Sequence, residues 1–257
     1  MFKYGDSTWS PVDMRSRLEE FAALYSRRPI VDNAGGMNSS HLFLFWFILQ
    51  QLKPKAVIES GVWKGQGTWL IEQACDAEIY SIDIDWSHLE YRSPRAKYLS
   101  QDISKLDWAH VPKAETLVFI DDHIDAIDRC RWAHQAGFKH LVFEDNYPPS
   151  RGDVYSLQEV FAESGHQAFP GLRARISRIL GGLKDKNIAP NGDDAAYIRR
   201  IADIYEVMPP VFKLPLNRWG DTWEGPEGLL TRVSEPWEQV YYDEAKWYTW
   251  LCYLHLR

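Results

Sequence analysis

Between residues 55 and 146 short apolar runs alternate with stretches of helical period, and this alternation constrains the fold more than any other feature of the chain. The runs AVIES, EIYSIDID, AKYLSQDI, TLVFIDD and HLVFEDN read as strands. The segments between them, notably the one beginning at Thr68 and residues 127–136 with Gly137 as a stop, read as helices. Nearly continuous apolar strands with a helix between them imply a parallel sheet covered on both faces, an α/β architecture. Ligands in such sheets bind beyond the carboxyl ends of the strands. Four of the five runs end there in acids: Glu59; Asp83 with Asp85; Asp121 with Asp122; and Glu144 with Asp145.

Flanking segments are read less directly. Residues 11–26 place Met14, Leu18, Phe21, Ala22 and Tyr25 on one helical face, with Ser10 and Pro11 at its start. A loop and then a second helix, over residues 40–52, precede the first run. Residues 157–164 and, more strongly, 193–207 read as helices. Residues 239–242 and 247–256 read as strands, an antiparallel pair at the sheet edge. Three sections follow: a helical cap at 1–52, a ligand-binding core at 53–150, and a lid with edge strands at 151–257.

A chain of 257 residues, 45% apolar and 25% charged, can build one large α/β domain of this kind. Its net charge of −7 speaks against a nucleic-acid partner, and the cluster Arg173, Arg175, Arg178 and Lys184 reads as a solvated helix face. The most apolar stretch, 41–52, is too short to span a bilayer and contains Gln50 and Gln51. Cys75, Cys130 and Cys252 form no C-x-x-C pair and read as reduced thiols, and no signal peptide is visible, so a cytoplasmic protein is expected. Of the 12 tryptophans, Trp219, Trp223, Trp237, Trp247 and Trp250 cluster late; they read as core residues, or as a platform for a planar ligand or sugar.

The stretch VIESGVWKGQGTWLIE carries the first chemical signal. Gly61, Gly65 and Gly67 permit a tight turn and a close backbone approach. The helix after them points free N–H groups toward an anion. The spacing G-x-x-x-G-x-G is neither the dinucleotide fingerprint nor a P-loop. Asp83, at the end of the next strand, suits the two hydroxyls of a ribose. The second signal lies in LVFIDDHID and HLVFEDN. Neighbouring parallel strands would bring Asp121, Glu144, Asp145 and Asn146 within about 5 Å of each other. So many carboxylates repel unless a cation sits among them, and an oxygen-rich set of this kind suits Mg²⁺ or a similar divalent ion.

These residues resemble motif I of the class I S-adenosylmethionine-dependent methyltransferases. IESGVWKGQGT is especially similar to the E-T-G-V-W-R-G-G form of macrocin-type sugar O-methyltransferases, and more loosely to the catechol type. The resemblance covers about residues 53–150 and implies a Rossmann-like, mostly parallel sheet with helices on both faces, N-terminal helices and a C-terminal helical, Trp-rich addition. It implies S-adenosylmethionine as cofactor. Glu59 and Gly61 would lie at its methionine end, with Trp63, Gly65, Gly67 and Thr68 completing the loop, Asp83 on the ribose and Asp102 near the adenine. Asp121, Asp145 and Asn146 match the metal pattern of the catechol enzymes, and Glu144 with Asp145 that of the cephalosporin-hydroxylase-like branch. Ile124 stands where the catechol enzymes have a lysine. The implied activity is methyl transfer to a hydroxyl of a sugar or small natural product, with Asp121 at the metal and His123 as the candidate base. The alternatives are a cephalosporin-hydroxylase-like enzyme and a non-catalytic cofactor-binding protein. No membrane partner is expected, and a homodimer is compatible with the edge strands.

Overall fold

A computed structural model of the chain describes residues 3–4, 8–149, 151–162, 192–222 and 225–257. The strands are β1 (Lys3–Tyr4), β2 (Ala56–Ser60), β3 (Glu78–Ile82), β4 (Ala96–Leu99), β5 (Thr116–Ile120), β6 (His140–Phe143), β7 (Ala202–Val207) and β8 (Cys252–Leu256). They form one sheet in the order β1-β7-β8-β6-β5-β2-β3-β4. Every pairing is parallel except the two made by β8, which runs against both β6 and β7. The expectation of a Rossmann-like, mostly parallel sheet is met. The chain leaves β2 toward β3 on one side and later returns to β5 on the other. This switch in direction opens a crevice at the carboxyl ends of β2 and β5.

The helices are α1 (Pro11–Ser16), α2 (Leu18–Tyr25), α3 (Ser39–Leu52), α4 (Gln66–Ala74), α5 (Ala126–Ala136), α6 (Leu157–Phe161), α7 (Gly192–Ile201) and α8 (Gln239–Glu244). Side chains of the central strands alternate between two cores. Val57, Leu117 and Phe119 pack with α2, α3 and α4 on one face. Ala56, Ile58, Val118 and Ile120 pack with α5, α6 and α7 on the other. Phe45 of α3 stacks on Phe119 with ring centroids 4.2 Å apart. Full burial of such a side chain contributes roughly 1.5–3 kcal/mol, so α3 is clamped over the centre of the sheet. Among the described residues no helix is long and apolar enough to cross a membrane. Cys75, Cys130 and Cys252 are free.

Several local expectations are corrected. Residues 11–26 form two helices, because Arg17 (φ −105°, ψ −1°) breaks the turn between α1 and α2. The helix expected over 193–207 stops at Ile201, and residues 202–207 are a strand, paired with β8 on one side and β1 on the other. The strand expected at 239–242 is helix α8, which buries Tyr241 against Phe21 and Phe43 and exposes Tyr242. Of residues 247–256 only Cys252–Leu256 is a strand, and it lies inside the sheet, not at its edge. The 157–164 helix ends at Phe161. Trp250 is fully buried and stacks on Trp219 at 5.5 Å, so these two tryptophans are packing residues, while Trp247 stays 45% exposed. The basic cluster at 173–184 and Trp223 lie outside the described residues.

Candidate functional site

The glycine loop follows β2 directly. Gly61 takes φ +92°, and a Cβ there would run into the carbonyl of Asp121. Gly65 takes φ +96° at the start of α4, where a Cβ would run into the carbonyl of Tyr91. Both positions therefore need glycine to let two backbones meet. The non-glycine Trp63 is also held at φ +51°. Asp83 fixes this shape. Its Oδ2 accepts from the N–H groups of Val62 (2.9 Å) and Trp63 (3.1 Å), and its Oδ1 from that of Asp85 (3.0 Å). The residue expected on the ribose is thus first the clasp of the loop. A carboxylate offers about four acceptor positions, so one remains for a hydroxyl.

A cleft lies over the loop, lined on its inner side by Glu59, Gly61 and Gln66 and roofed by Asn33 and Met37. The roof is tied down by two side chains of the loop: Trp63 Nε1 donates to the Ala34 carbonyl (3.1 Å) and Lys64 Nζ to that of Asp32 (2.8 Å). Asn33, Met37 and Gln66 were not singled out from sequence. The Gly- and Asn-rich segment before α3 was the available signal. Glu59 is 1% exposed and accepts from Thr68 Oγ1 (2.5 Å) and Ser81 Oγ (2.9 Å). Burial pushes its carboxyl up to about 8 in spite of these two donors. Thr68 therefore holds Glu59, and the bare Cα of Gly67 makes room for its other oxygen.

The acids beyond β5 and β6 separate into two groups. One ligand atom each from Asp121, His123 and Asp145 lies within 4.8 Å of the others. Burial first, and then the neighbouring Asp145, hold Asp121 well above the usual carboxylate range. Among the described residues, the buried Asp145 Oδ2 has no hydrogen-bond partner. His123, at φ +55°, sets Nδ1 3.1 Å from Asp153 and 3.4 Å from Asp145. The hydrogen bond to Asp153 leads the effects that push its ring up to about 10, against the opposing effect of burial. The ring is thus the cation of the cluster at neutral pH, the reverse of the protonation state a general base needs.

The remaining candidates have further partners, though Glu144 also lies against Asp145 and Asp121. Glu144 accepts from Thr249 Oγ1 (2.9 Å) and lies 3.2 Å from His41 Nε2. The carboxamide of Asn146 is taken by the Tyr205 hydroxyl and the Gln158 N–H, both at 3.0 Å. Asp122 binds Ser60 Oγ and Arg129, and Asp102 makes a two-pronged pair with the same Arg129 plus two contacts from Ser104. Of the expected metal set, Asp121 and Asp145 meet within 4.8 Å, with His123 beside them. Two carboxylates, one with a buried oxygen that has no hydrogen-bond partner among the described residues, fit a divalent cation that keeps open positions, and His123 could join them only by giving up its proton. His140 bonds to the Tyr253 hydroxyl (2.8 Å) and belongs to the sheet.

No protein-family model matches the chain, and no curated protein does. Solved structures similar to it include the O-methyltransferase TomG of Streptomyces achromogenes, involved in tomaymycin synthesis and solved with S-adenosylmethionine. That match has 13% identity and a TM-score of 0.36, and covers 52% of this chain and 65% of TomG, just under two thirds of its length. A putative O-methyltransferase from Klebsiella pneumoniae matches at 16% identity, TM-score 0.40, over 66% of this chain and 78% of its own. The O-methyltransferase from Bacillus cereus, solved with S-adenosylhomocysteine, matches at 12% identity, TM-score 0.38, over 66% of this chain and 80% of its own.

Proposed function

We propose that this chain is an S-adenosylmethionine-dependent O-methyltransferase that acts on a hydroxyl of a sugar or small natural product, assisted by a divalent cation such as Mg²⁺. One observation carries the reading: Asp121 belongs to both halves of the site. It lines the cleft over the glycine loop, and its carboxylate also joins His123 and Asp145. A ligand held by the loop would then reach the acid cluster.

S-adenosylmethionine, when bound, supplies a methyl group on a sulfonium, which an acceptor oxygen takes by in-line displacement. The chain's part is positioning, which can account for much of such a rate. Asp83 would accept from the ribose hydroxyls, and the Gly61–Gly67 turn would let the cofactor lie against backbone. Asp121 and Asp145, with His123 beside them, would hold the cation, which would supply a Lewis acid for the acceptor hydroxyl. The acceptor's proton has Asp121 or Asp145 to go to, since His123 already carries one. Arginine pairing of the whole acid cluster would favour a non-catalytic protein. Arg129 takes Asp102 and Asp122 but leaves Asp121 and Asp145 free of it. That division favours an enzyme.

The test is calorimetric titration of the chain with S-adenosylmethionine and S-adenosylhomocysteine, with and without Mg²⁺. Micromolar binding is expected, and absence of binding to either nucleoside rejects the reading.

A further inference from the structure

A second cleft lies between residues 212–218 and the turn that follows α8. Phe212, Ala245 and Tyr248 are its buried apolar floor, and Arg218 and Lys246 stand exposed at its rim. Asn217 shapes the turn that presents Arg218. Its Oδ1 accepts from the N–H groups of Trp219 (2.9 Å) and Asp221 (3.0 Å), and Gly220 takes φ +83° between them. Two indoles steer the guanidinium, whose carbon lies 5.4 Å from the Trp219 ring centre and 5.9 Å from that of Trp247. Lys246 Nζ lies 4.9 Å from the same Trp247 ring. Contact with a ring face orients a guanidinium and leaves its in-plane N–H donors open. Among the described residues neither cation forms an ion pair or donates a hydrogen bond. Two like charges over one ring repel, and an anion between them removes that repulsion.

This cleft borders the acid cluster. Trp219 meets Tyr147 with ring centroids 5.4 Å apart, and Asp221 pairs with Arg151, so the turn is fastened to the segment that follows β6. Tyr248 of the floor lies 5.0 Å from the His41 ring, whose Nε2 is 3.2 Å from Glu144. Against burial, the bond to His123 and then the charge of Arg218 hold Asp153 below the usual carboxylate range, so the guanidinium is within electrostatic reach of the residue that holds His123. Resting on the methyl-transfer reading above, we propose that Arg218 and Lys246 receive a carboxylate of the acceptor, which is therefore a hydroxy acid held by its anion in this cleft and by its hydroxyl at Asp121 and Asp145. A neutral sugar or phenol leaves both cations without a partner. A carboxylate matches the planar fork of Arg218 with two parallel hydrogen bonds. Its single charge suits the place, because a dianion meets stronger repulsion from the acids nearby. The cations at the rim supply the field that lets an anion approach a group of carboxylates at all.

The test is titration calorimetry of the full chain in Mg²⁺, with and without S-adenosylhomocysteine, using two matched pairs of probes. One pair is protocatechuate and its neutral amide, the other glucuronate and glucuronamide. The unaltered chain should prefer the acid by tenfold or more in at least one pair, and the pair that responds tells an aryl from a sugar body. Arg218→Gln should lose tenfold or more in affinity for that acid while keeping its affinity for the amide and for S-adenosylhomocysteine. Lys246→Gln should lose threefold or more. Arg218→Lys keeps the charge but not the fork and should fall between Arg218→Gln and the parent. Both side chains are exposed, so the variants should melt with the parent, which separates a lost site from a damaged fold. Absence of a preference for the acid in both pairs, non-binding included, or undiminished acid affinity in Arg218→Gln overturns the proposal. Binding of S-adenosylhomocysteine in the same titrations then leaves the methyl-transfer reading standing. Acid binding through Arg218 without any binding of S-adenosylhomocysteine upholds the carboxylate site and removes that reading instead.

Discussion

Gly61 and the backbone of Asp121 meet at the carboxyl ends of β2 and β5 with no room for a side chain between them. The Asp121 N–H also donates to the Ser60 carbonyl at 2.7 Å. The sequence suggests that Gly61 is bare to admit a ligand, and that a valine there would abolish cofactor binding in a folded protein. The structure shows that it is bare first to admit Asp121. Gly61→Ala should therefore cost about 2–4 kcal/mol in stability, from overpacking and a left-handed φ. Urea unfolding of the ligand-free protein checks this. Stability within 1 kcal/mol of the parent, on the order of an ordinary surface substitution, would return the glycine to the ligand.

Asp83→Ala should act on binding and stability together. Charge-assisted hydrogen bonds to a ribose contribute roughly 1.5–3 kcal/mol, so affinity for S-adenosylhomocysteine should fall about tenfold to a hundredfold. The same change strips the acceptor from three backbone N–H groups, so the melting temperature should fall as well. Asp83→Asn keeps an acceptor for part of the loop and should lose less of both. Unchanged binding in both variants would leave Asp83 as a clasp alone.

Much of this site was legible because its residues sit at the ends of strands that announce themselves. Continuous apolar runs located β2, β3, β5 and β6, and parallel pairing then carried Asp83, Asp121 and Asp145 to one edge. What stayed hidden depends on partners far away in sequence. The spacing of Ala196, Ile198, Ile201, Ala202 and Tyr205 suits a helix throughout. Its second half is extended only because β1 and β8 are there to pair with it. The roof residue Asn33 and the division of acids by Arg129 were hidden for the same reason. Which carboxylates Arg129 takes is decided by how α5 packs, not by the order D-D-H.

Asp145→Asn isolates the cation site. Removing its charge relieves the repulsion with Asp121 and Glu144 but also takes from His123 an ion-pair partner 3.4 Å away, so the metal-free protein should stay within about 1 kcal/mol of the parent. Added Mn²⁺ or Mg²⁺ should raise the melting temperature of the parent, since an ion that binds only the folded state stabilises it. The variant should lose that rise and its methyl transfer while keeping its affinity for S-adenosylhomocysteine. An undiminished metal-dependent rise in the variant counts against Asp145 as a ligand.

Glu59 makes the ligand-free protein sensitive to alkali. Burial raises its carboxyl from 4.5 to about 8 in the folded state. The unfolded chain sheds that proton from about 4.5 upward, whereas the folded chain keeps it until about 8. The contribution to stability is whole below 4.5 and is lost as the pH climbs toward 8. His41 works in the other direction. Burial lowers its ring from 6.5 to about 3, so stability drains as the pH falls from 6.5 toward 3. Glu59→Gln should gain on the parent by an amount that grows from pH 4.5 to 8 and then levels, on the order of a few kcal/mol. Melting temperatures of both proteins at pH 5 and pH 8.5 measure it, and a constant difference would show Glu59 ionised in the fold.

Arg129 is the counterion of Asp102 and Asp122 and is only 6% exposed. Arg129→Met leaves two carboxylates facing each other without it, and removing one partner from a buried pair typically costs about 3–5 kcal/mol. Chemical denaturation should show a loss of that size, with a smaller one in Asp102→Asn. A loss below about 1 kcal/mol, the range of an exposed pair, would mean that solvent already screens the trio.

The place of β8 also sets the order in which the molecule can assemble. β2 through β6 collect their partners from the middle of the chain, but β7 reaches them only across β8, and β1 only across β7. The contact between Thr8 and Glu206 closes a loop of 198 residues. Loops of that length close slowly, and contacts across them form late. Until β8 docks, β6 presents a bare edge of unpaired amides and carbonyls, a template on which another chain's strand can grow. The strand that completes the sheet is therefore also its guard against aggregation, and a nascent chain is at its most vulnerable in the interval before that strand arrives.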